Sequence, residues 1–199
     1  MLLEKIFSQI NLKEKNKYVY YCKINMKFFK QLKENTCHII AIQHTLSFFE
    51  KYPCAEEITK DLPKHSFGDS IFEIGIYLEN KGFKTKLISN YHNLKNDNNK
   101  FDKKSFQRYK KIGNFEDRLI KEKDIKEKPI IVNVDYFKIR NIPQNPCPHY
   151  VVVLKEKDNL FLFDGDNYSR RVKISFDKIY ECSININKFH EKGMWLILE

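Results

Sequence analysis

The stretch QLKENTCHIIAIQHTLSFFEKY (Gln31–Tyr52) decides how the chain is read. Ile39, Ile40, Ile42, Leu46, Phe48 and Phe49 cover most of the circumference of a helix running from Cys37 to Lys51. A helix that is apolar nearly all round belongs in an interior. Asn35 or Thr36 is placed to cap it, because either side chain accepts hydrogen bonds from first-turn amides. Pro53 marks its end. Packing alone would tolerate a cysteine anywhere on that surface. Cys37 instead stands at the first turn, six residues after Gln31.

A helix N-terminus offers backbone amides unused within the helix and a partial positive charge. Both favour a thiolate, the attacking species in cysteine catalysis. The same amides are placed to receive the oxygen of an attacked carbonyl as it becomes negative.

A nucleophile of this kind needs a base. The histidines stand at 38, 44, 65, 92, 149 and 190. His149 differs from the others: it lies in PCPHYVVV, directly before an apolar strand and after a loop stiffened by Pro143, Pro146 and Pro148. Asp164 ends the next strand candidate, in FLFDG. If the two strands pair as a hairpin, His149 begins one and Asp164 ends the other, at the same edge of the sheet. The carboxylate then accepts from one ring nitrogen while the other faces the thiol. Asp166, in DGDN, is the alternative orienting group, and Asp164 is preferred because it closes the strand run.

The wider chain reads as helices first and strands later. Short helices are expected over 56–61 and from Ser70, where Ser70 and Glu73 have capping-box spacing and Gly82 is the natural stop. A strand over 83–89 follows. Residues 90–104 are polar and rich in Asn and Lys, and helices on the surface are expected over 104–111 and 115–123. Strands are expected at 129–137, 149–156 and 159–164, with weaker ones at 170–175 and 193–199, and one helical turn at 176–180. This order implies a single α+β domain over 1–199, with an insertion at about 90–125.

Composition narrows the remaining possibilities. With 199 residues, 42% of them hydrophobic, the chain can build a sizeable core. Its net charge of +10 raises the question of a polyanionic partner. The abundance of Lys, Asn, Ile and Phe matches A/T-rich codons, and no run of five basic residues occurs, so nucleic acid is not an expected partner. The five cysteines, at 22, 37, 54, 147 and 182, have irregular spacing and form no CxxC pair. Neither a disulfide framework, a metal site nor a cofactor is expected. Cys37 and His44 share a helix face, but no further ligand has matching spacing. The N-terminal residues lack a signal-like apolar run, and no stretch approaches the length of a membrane helix. A cytoplasmic protein is therefore expected.

Together the residues resemble the papain-like cysteine proteases, in which Gln, Cys, His and Asn or Asp follow in that order on a helix and then an antiparallel sheet. The nearest likeness is to the bacteriocin-processing, double-glycine leader peptidase domain. It rests on Gln31…Cys37, Gly68-Asp69-Ser70, His149-Tyr150-Val151-Val152-Val153 and Phe161-Leu162-Phe163-Asp164, over roughly residues 28–198. The resemblance implies a papain-like fold and a cysteine peptidase acting on a peptide or protein, with the Gln31 side chain supplying an oxyanion-hole amide. It also implies a leader ending in two small residues as the substrate.

There are two departures. The family usually has glycine after its cysteine, where this chain has His38; a side chain there is expected to pack or to crowd the cleft. The family often has Asp-Pro after the last strand, where this chain has Asp164-Gly165. Besides nucleic-acid binding by the basic surface, which a shift assay without salt-dependent binding would remove, two rival functions remain. One is an inactive, peptide-binding relative. The other is an acyltransferase or transglutaminase-type enzyme, in which an amine replaces water. Cys147 is expected to be a plain loop thiol.

Overall fold

The computed structural model describes residues 20–21, 27–28, 36–62, 70–89, 103–166, 171–184, 186 and 193–199. Gln31, Asn35, Gly68, Asp69 and the stretch 90–102 lie outside the described residues. Two short strands, β1 (Tyr20–Tyr21) and β2 (Lys27–Phe28), pair antiparallel. Helices α1 (Cys37–Phe48), α2 (Ala55–Asp61) and α3 (Ile71–Asn80) follow. Next come β3 (Thr85–Ser89), α4 (Lys103–Tyr109) and β4 (Asn114–Asp117). The last part holds β5 (Ile130–Asp135), α5 (Tyr136–Ile139), β6 (Pro148–Glu156), β7 (Asn159–Phe163), β8 (Val172–Ile174), α6 (Phe176–Ile184) and β9 (Trp195–Leu198).

The architecture is α+β. A seven-stranded sheet has the order β4-β3-β9-β5-β6-β7-β8, and every pair is antiparallel except β3–β4. Side chains alternate across a strand, and β6 shows this directly. Val152 and Leu154 join Ile39, Ile42, Leu46, Ile74 and Leu78 in one core. Val151 and Val153 join Ile179, Cys182 and Trp195 in a second. Helices α1 and α3 thus cover one face of the sheet and α6 the other.

From His38 to Ser47 every residue of α1 is buried, as its all-round apolarity requires. Thr36 occupies the N-cap position without a side-chain capping bond. The helix ends before Pro53, with Glu50 in a left-handed turn (φ 57°). The capping box of α3 is half formed. Ser70 Oγ accepts from the Glu73 amide, but the Glu73 carboxylate turns away. It takes hydrogen bonds from Ser105 and, at 2.9 Å, from Arg108 on α4. Glu73 is 1% exposed, and a buried carboxylate needs those donors. Gly82 closes α3 at φ 85°, the left-handed position that glycine adopts without strain.

Two expectations are corrected between 103 and 125. Helix α4 is not a surface element, since Phe106 and Tyr109 are buried, the Tyr109 hydroxyl lying 2.9 Å from Thr85 Oγ1. The expected helix over 115–123 is the edge strand β4 followed by a single 3-10 turn, Glu122–Asp124. Towards the C-terminus, α6 runs for nine residues rather than one turn, because Ile179 and Cys182 bury against the sheet.

Candidate active site

Helix α1 packs along β6 and β5, which brings its first residue to the beginning of β6. Cys37 is that residue, and its side chain is half-buried. The thiol is coupled to the His149 and His38 imidazoles and to the Tyr150 backbone, which together act to lower it.

His149 is the second residue of β6, pairing across the ladder with Val134 of β5. Asp164 directly follows β7. The two side chains lie on one face of the sheet, and His149 Nε2 is 2.7 Å from Asp164 Oδ1. That leaves Nδ1 as the ring nitrogen facing the sulfur. Both are nearly inaccessible, at 5% and 1% exposed.

The electrostatics follow from these contacts. Burial pushes the Cys37 thiol up. Hydrogen bonds from His149 and His38, the His149 charge and the Tyr150 backbone outweigh it and bring the thiol from 9.0 down to about 6. For His149, burial acts downward, and the hydrogen bonds and charges of Asp164 and Cys37 overcome it, raising the imidazole to about 9. Burial also opposes ionisation of Asp164. The hydrogen bond and charge of His149, the charge of Arg140 and the Asp166 amide nevertheless hold the carboxyl below its ordinary value. All three directions favour the same charge pattern at this site, a thiolate, an imidazolium and a carboxylate.

Around this row lies a second set of contacts that the sequence did not reveal. Arg140, at the C-cap of α5, donates from Nη2 to Asp164 Oδ2. Its Nη1 donates to the Tyr136 carbonyl at 3.0 Å, and its guanidinium lies 3.8 Å over the Tyr136 ring. That ring meets His149 edge-on, with centroids 5.2 Å apart and planes at 84°. The Tyr136 hydroxyl donates to Asp166, whose backbone amide donates to Asp164 Oδ1 at 3.0 Å. The register that pairs Asp135 with Pro148 brings the end of β5, and so Tyr136, beside the start of β6.

The other sequence candidates fall as follows. His38 is buried at the first turn of α1, next to Cys37, and acts to lower that thiol. His44 is buried farther along α1, edge-on to Phe163. The Cys147 thiol is exposed, and it is raised by burial and then by the nearby charges of Cys37 and Asp135, which keeps it protonated. Gln31 lies outside the described residues. Among the described residues no group of three or more His, Cys, Asp or Glu is arranged to hold a metal ion, and no helix is long and apolar enough to cross a membrane.

No family model and no curated protein sequence matches the chain. Solved structures do. The peptidase domain of Streptococcus ComA, a bifunctional ABC transporter involved in quorum sensing, is similar with a TM-score of 0.54 at 16% identity. The match covers 87% of this chain and 97% of that one. A double-glycine motif protease from an AMS/PCAT transporter, solved with its leader peptide, is similar with a TM-score of 0.51 at 14% identity, over 90% and 95%. The chain has the fold of these peptidase domains.

Proposed function

We propose that this chain is a cysteine peptidase that cleaves a peptide bond through Cys37, His149 and Asp164. The observation that carries this is the hydrogen bond from His149 Nε2 to Asp164 Oδ1 at 2.7 Å, with the Cys37 thiol electrostatically coupled to the same imidazole. The Cys37 thiolate attacks the scissile carbonyl carbon. The oxygen takes up negative charge facing the Cys37 amide and, as the family resemblance implies, the Gln31 side-chain amide. The tetrahedral species collapses as the His149 imidazolium gives its proton to the leaving amine, and a thioester remains. Neutral His149 then takes a proton from water as the water attacks, and the thiolate departs. Asp164 keeps the imidazole in one tautomer and orientation.

The substrate class is a leader peptide with two small residues before the scissile bond. This is supported by the likeness to a double-glycine motif protease solved with its leader peptide. The test uses synthetic peptides with Gly-Gly, Gly-Ala or Leu-Leu before a common C-terminal segment, with products mapped by mass spectrometry. Cleavage after the small pairs is expected, together with complete loss in Cys37→Ala at an unchanged melting temperature. Full activity in Cys37→Ala would overturn the mechanism. Addition of a primary amine separates hydrolysis from acyl transfer, since a transferase would yield the amide in place of the acid.

A further inference from the structure

Helix α5 is a single turn, yet it is tied to the chain on both sides of the His149–Asp164 pair. At its start, Asp135 Oδ1 accepts from the Phe137 amide at 3.1 Å and from the Cys147 amide at 3.2 Å. The Tyr136 amide donates to the Cys147 carbonyl at 2.7 Å. These bonds fasten the turn to the residue that precedes Pro148 and His149. At its end stands Arg140. The guanidinium lies 3.8 Å over the Tyr136 ring, Nη1 donates to the Tyr136 carbonyl at 3.0 Å, and Nη2 donates to Asp164 Oδ2. The same Nη2 is 3.6 Å from Asp166 Oδ2, beyond hydrogen-bonding distance.

The two oxygens of Asp164 are met from different sides. Oδ1 takes His149 Nε2 at 2.7 Å and the Asp166 amide at 3.0 Å. Among the described residues, Oδ2 takes its hydrogen bond from Arg140. Asp164 is 1% exposed, so bulk water does not replace that donor. A buried carboxylate oxygen that loses its donor drives the group to rotate, to admit water or to take a proton. The other titratable groups around the carboxylate are Tyr136, whose hydroxyl donates to Asp166, and Cys37 of α1 beyond the imidazole. On α6, which packs on α5, Lys178 donates to Asn141 and Glu181 pairs with Lys138.

We propose that Arg140 is a positioning residue: its planar fork, braced on Tyr136, holds the Asp164 carboxylate in the orientation that meets His149 Nε2. This rests on the reading of His149 as the base and Asp164 as its orienting group. A lysine would supply the charge but not the fork, because an ammonium does not lie flat on a ring while donating in two fixed directions. The charge of Arg140 and its grip act on the imidazole in opposite senses. A cation disfavours a second cation nearby, so removing the charge by itself raises the imidazole. The grip keeps the carboxylate at Nε2, so releasing it lowers the imidazole. The sign of the shift tells the two apart.

The experiment is titration of the His149 imidazole by NMR in the full chain carrying isotope-labelled histidine, the resonance being assigned by its loss in His149→Gln. For Arg140→Met, which keeps apolar length but lacks the fork, the midpoint should fall by about 1 pH unit, about tenfold in the protonation equilibrium. An unchanged midpoint would mean that Arg140 only staples α5, and a raised one that it acts through its charge alone; either overturns the proposal. If circular dichroism shows that Met disturbs the fold, Arg140→Lys carries the comparison. It keeps the charge and loses the fork, so a midpoint that falls supports the proposal and one that does not overturns it. No peptide substrate is needed. A chain that cleaves no peptide yet shows the fall loses the peptidase reading and keeps this one, and a chain that cleaves peptides without the fall does the reverse.

Discussion

Replacing Asp164 by Asn tests the electrostatic coupling of the site, and the outcome can be worked from the geometry. The thiol is ionised above about 6 and the imidazole protonated below about 9, so the reactive pair exists across roughly three pH units. A carboxylate this close to an imidazolium raises its pKa by about 1–3 units. Asn keeps an acceptor near Nε2 but removes the charge. Arg140, which Asp164 now pairs with, then opposes the imidazolium instead of being neutralised. Both changes lower His149, so the alkaline limb should retreat from about 9 by about 1–3 units. The thiol loses part of its cationic partner, so the acid limb should move up from about 6. The window closes from both ends, and at about 1.4 kcal/mol per unit the pair loses on the order of 1–4 kcal/mol. The assay is Cys37 alkylation, and peptide cleavage once a substrate is found, from pH 5 to pH 10. An Asp164→Asn profile superimposable on that of the unaltered chain would show that the carboxylate does not act on the imidazole.

Two further outcomes are expected. At pH 7 a limiting amount of iodoacetamide should label Cys37 before Cys147, although Cys147 is the more exposed, because its thiol is raised while that of Cys37 is lowered; peptide mapping reads the order. Gly165→Ala should destabilise the chain by about 1–3 kcal/mol in thermal unfolding, because a Cβ there would lie 2.2 Å from Ile40 Cγ2 on α1. If Gly165→Ala proves neutral, the end of β7 is not as tightly seated on α1 as described.

What the sequence revealed, and what it hid, divides by the range of the forces involved. The burial of α1 is written in its own residues, and so is the break at 157–158 between two strand candidates, where Lys157 adopts a left-handed φ of 54°. The order of elements, and with it the α+β class, followed from local periodicity. Strand β4 did not. Its pairing with β3 is parallel and joins residues far apart in sequence, and Phe115 is held edge-on against Phe106 with centroids 5.0 Å apart. A local pattern cannot report a partner of that kind. The Glu73 carboxylate shows the same limit. Its spacing from Ser70 signals a local cap, but a cation and a hydroxyl on α4 compete for it and win.

The Gly165 contact also explains one departure from the family pattern. Proline, common at that place in the leader peptidases, carries a Cβ, and Ile40 fills the space that such a Cβ would need. The residue at 40 and the glycine at 165 are therefore a matched pair, with α1 and the end of β7 closing on each other.

The choice between Asp164 and Asp166 shows why a site can be half legible. Continued past its last pair, Val152–Phe163, the β6–β7 ladder would set Asp164 opposite Val151 and Asp166 opposite His149. Register alone thus favours Asp166, yet His149 Nε2 meets Asp164. The chain leaves the ladder at Gly165, and the Asp166 amide turns back to donate to Asp164 Oδ1. Asp164 is then 1% exposed, and a carboxylate so buried stays ionised only if its charge is met. His149 meets it on one oxygen and Arg140 on the other. Asp166 is less deeply buried than Asp164 and takes the Tyr136 hydroxyl, fixing the ring that lies edge-on to His149. The second aspartate therefore does not compete for the imidazole. It holds in place the surroundings that let the first one be both buried and charged.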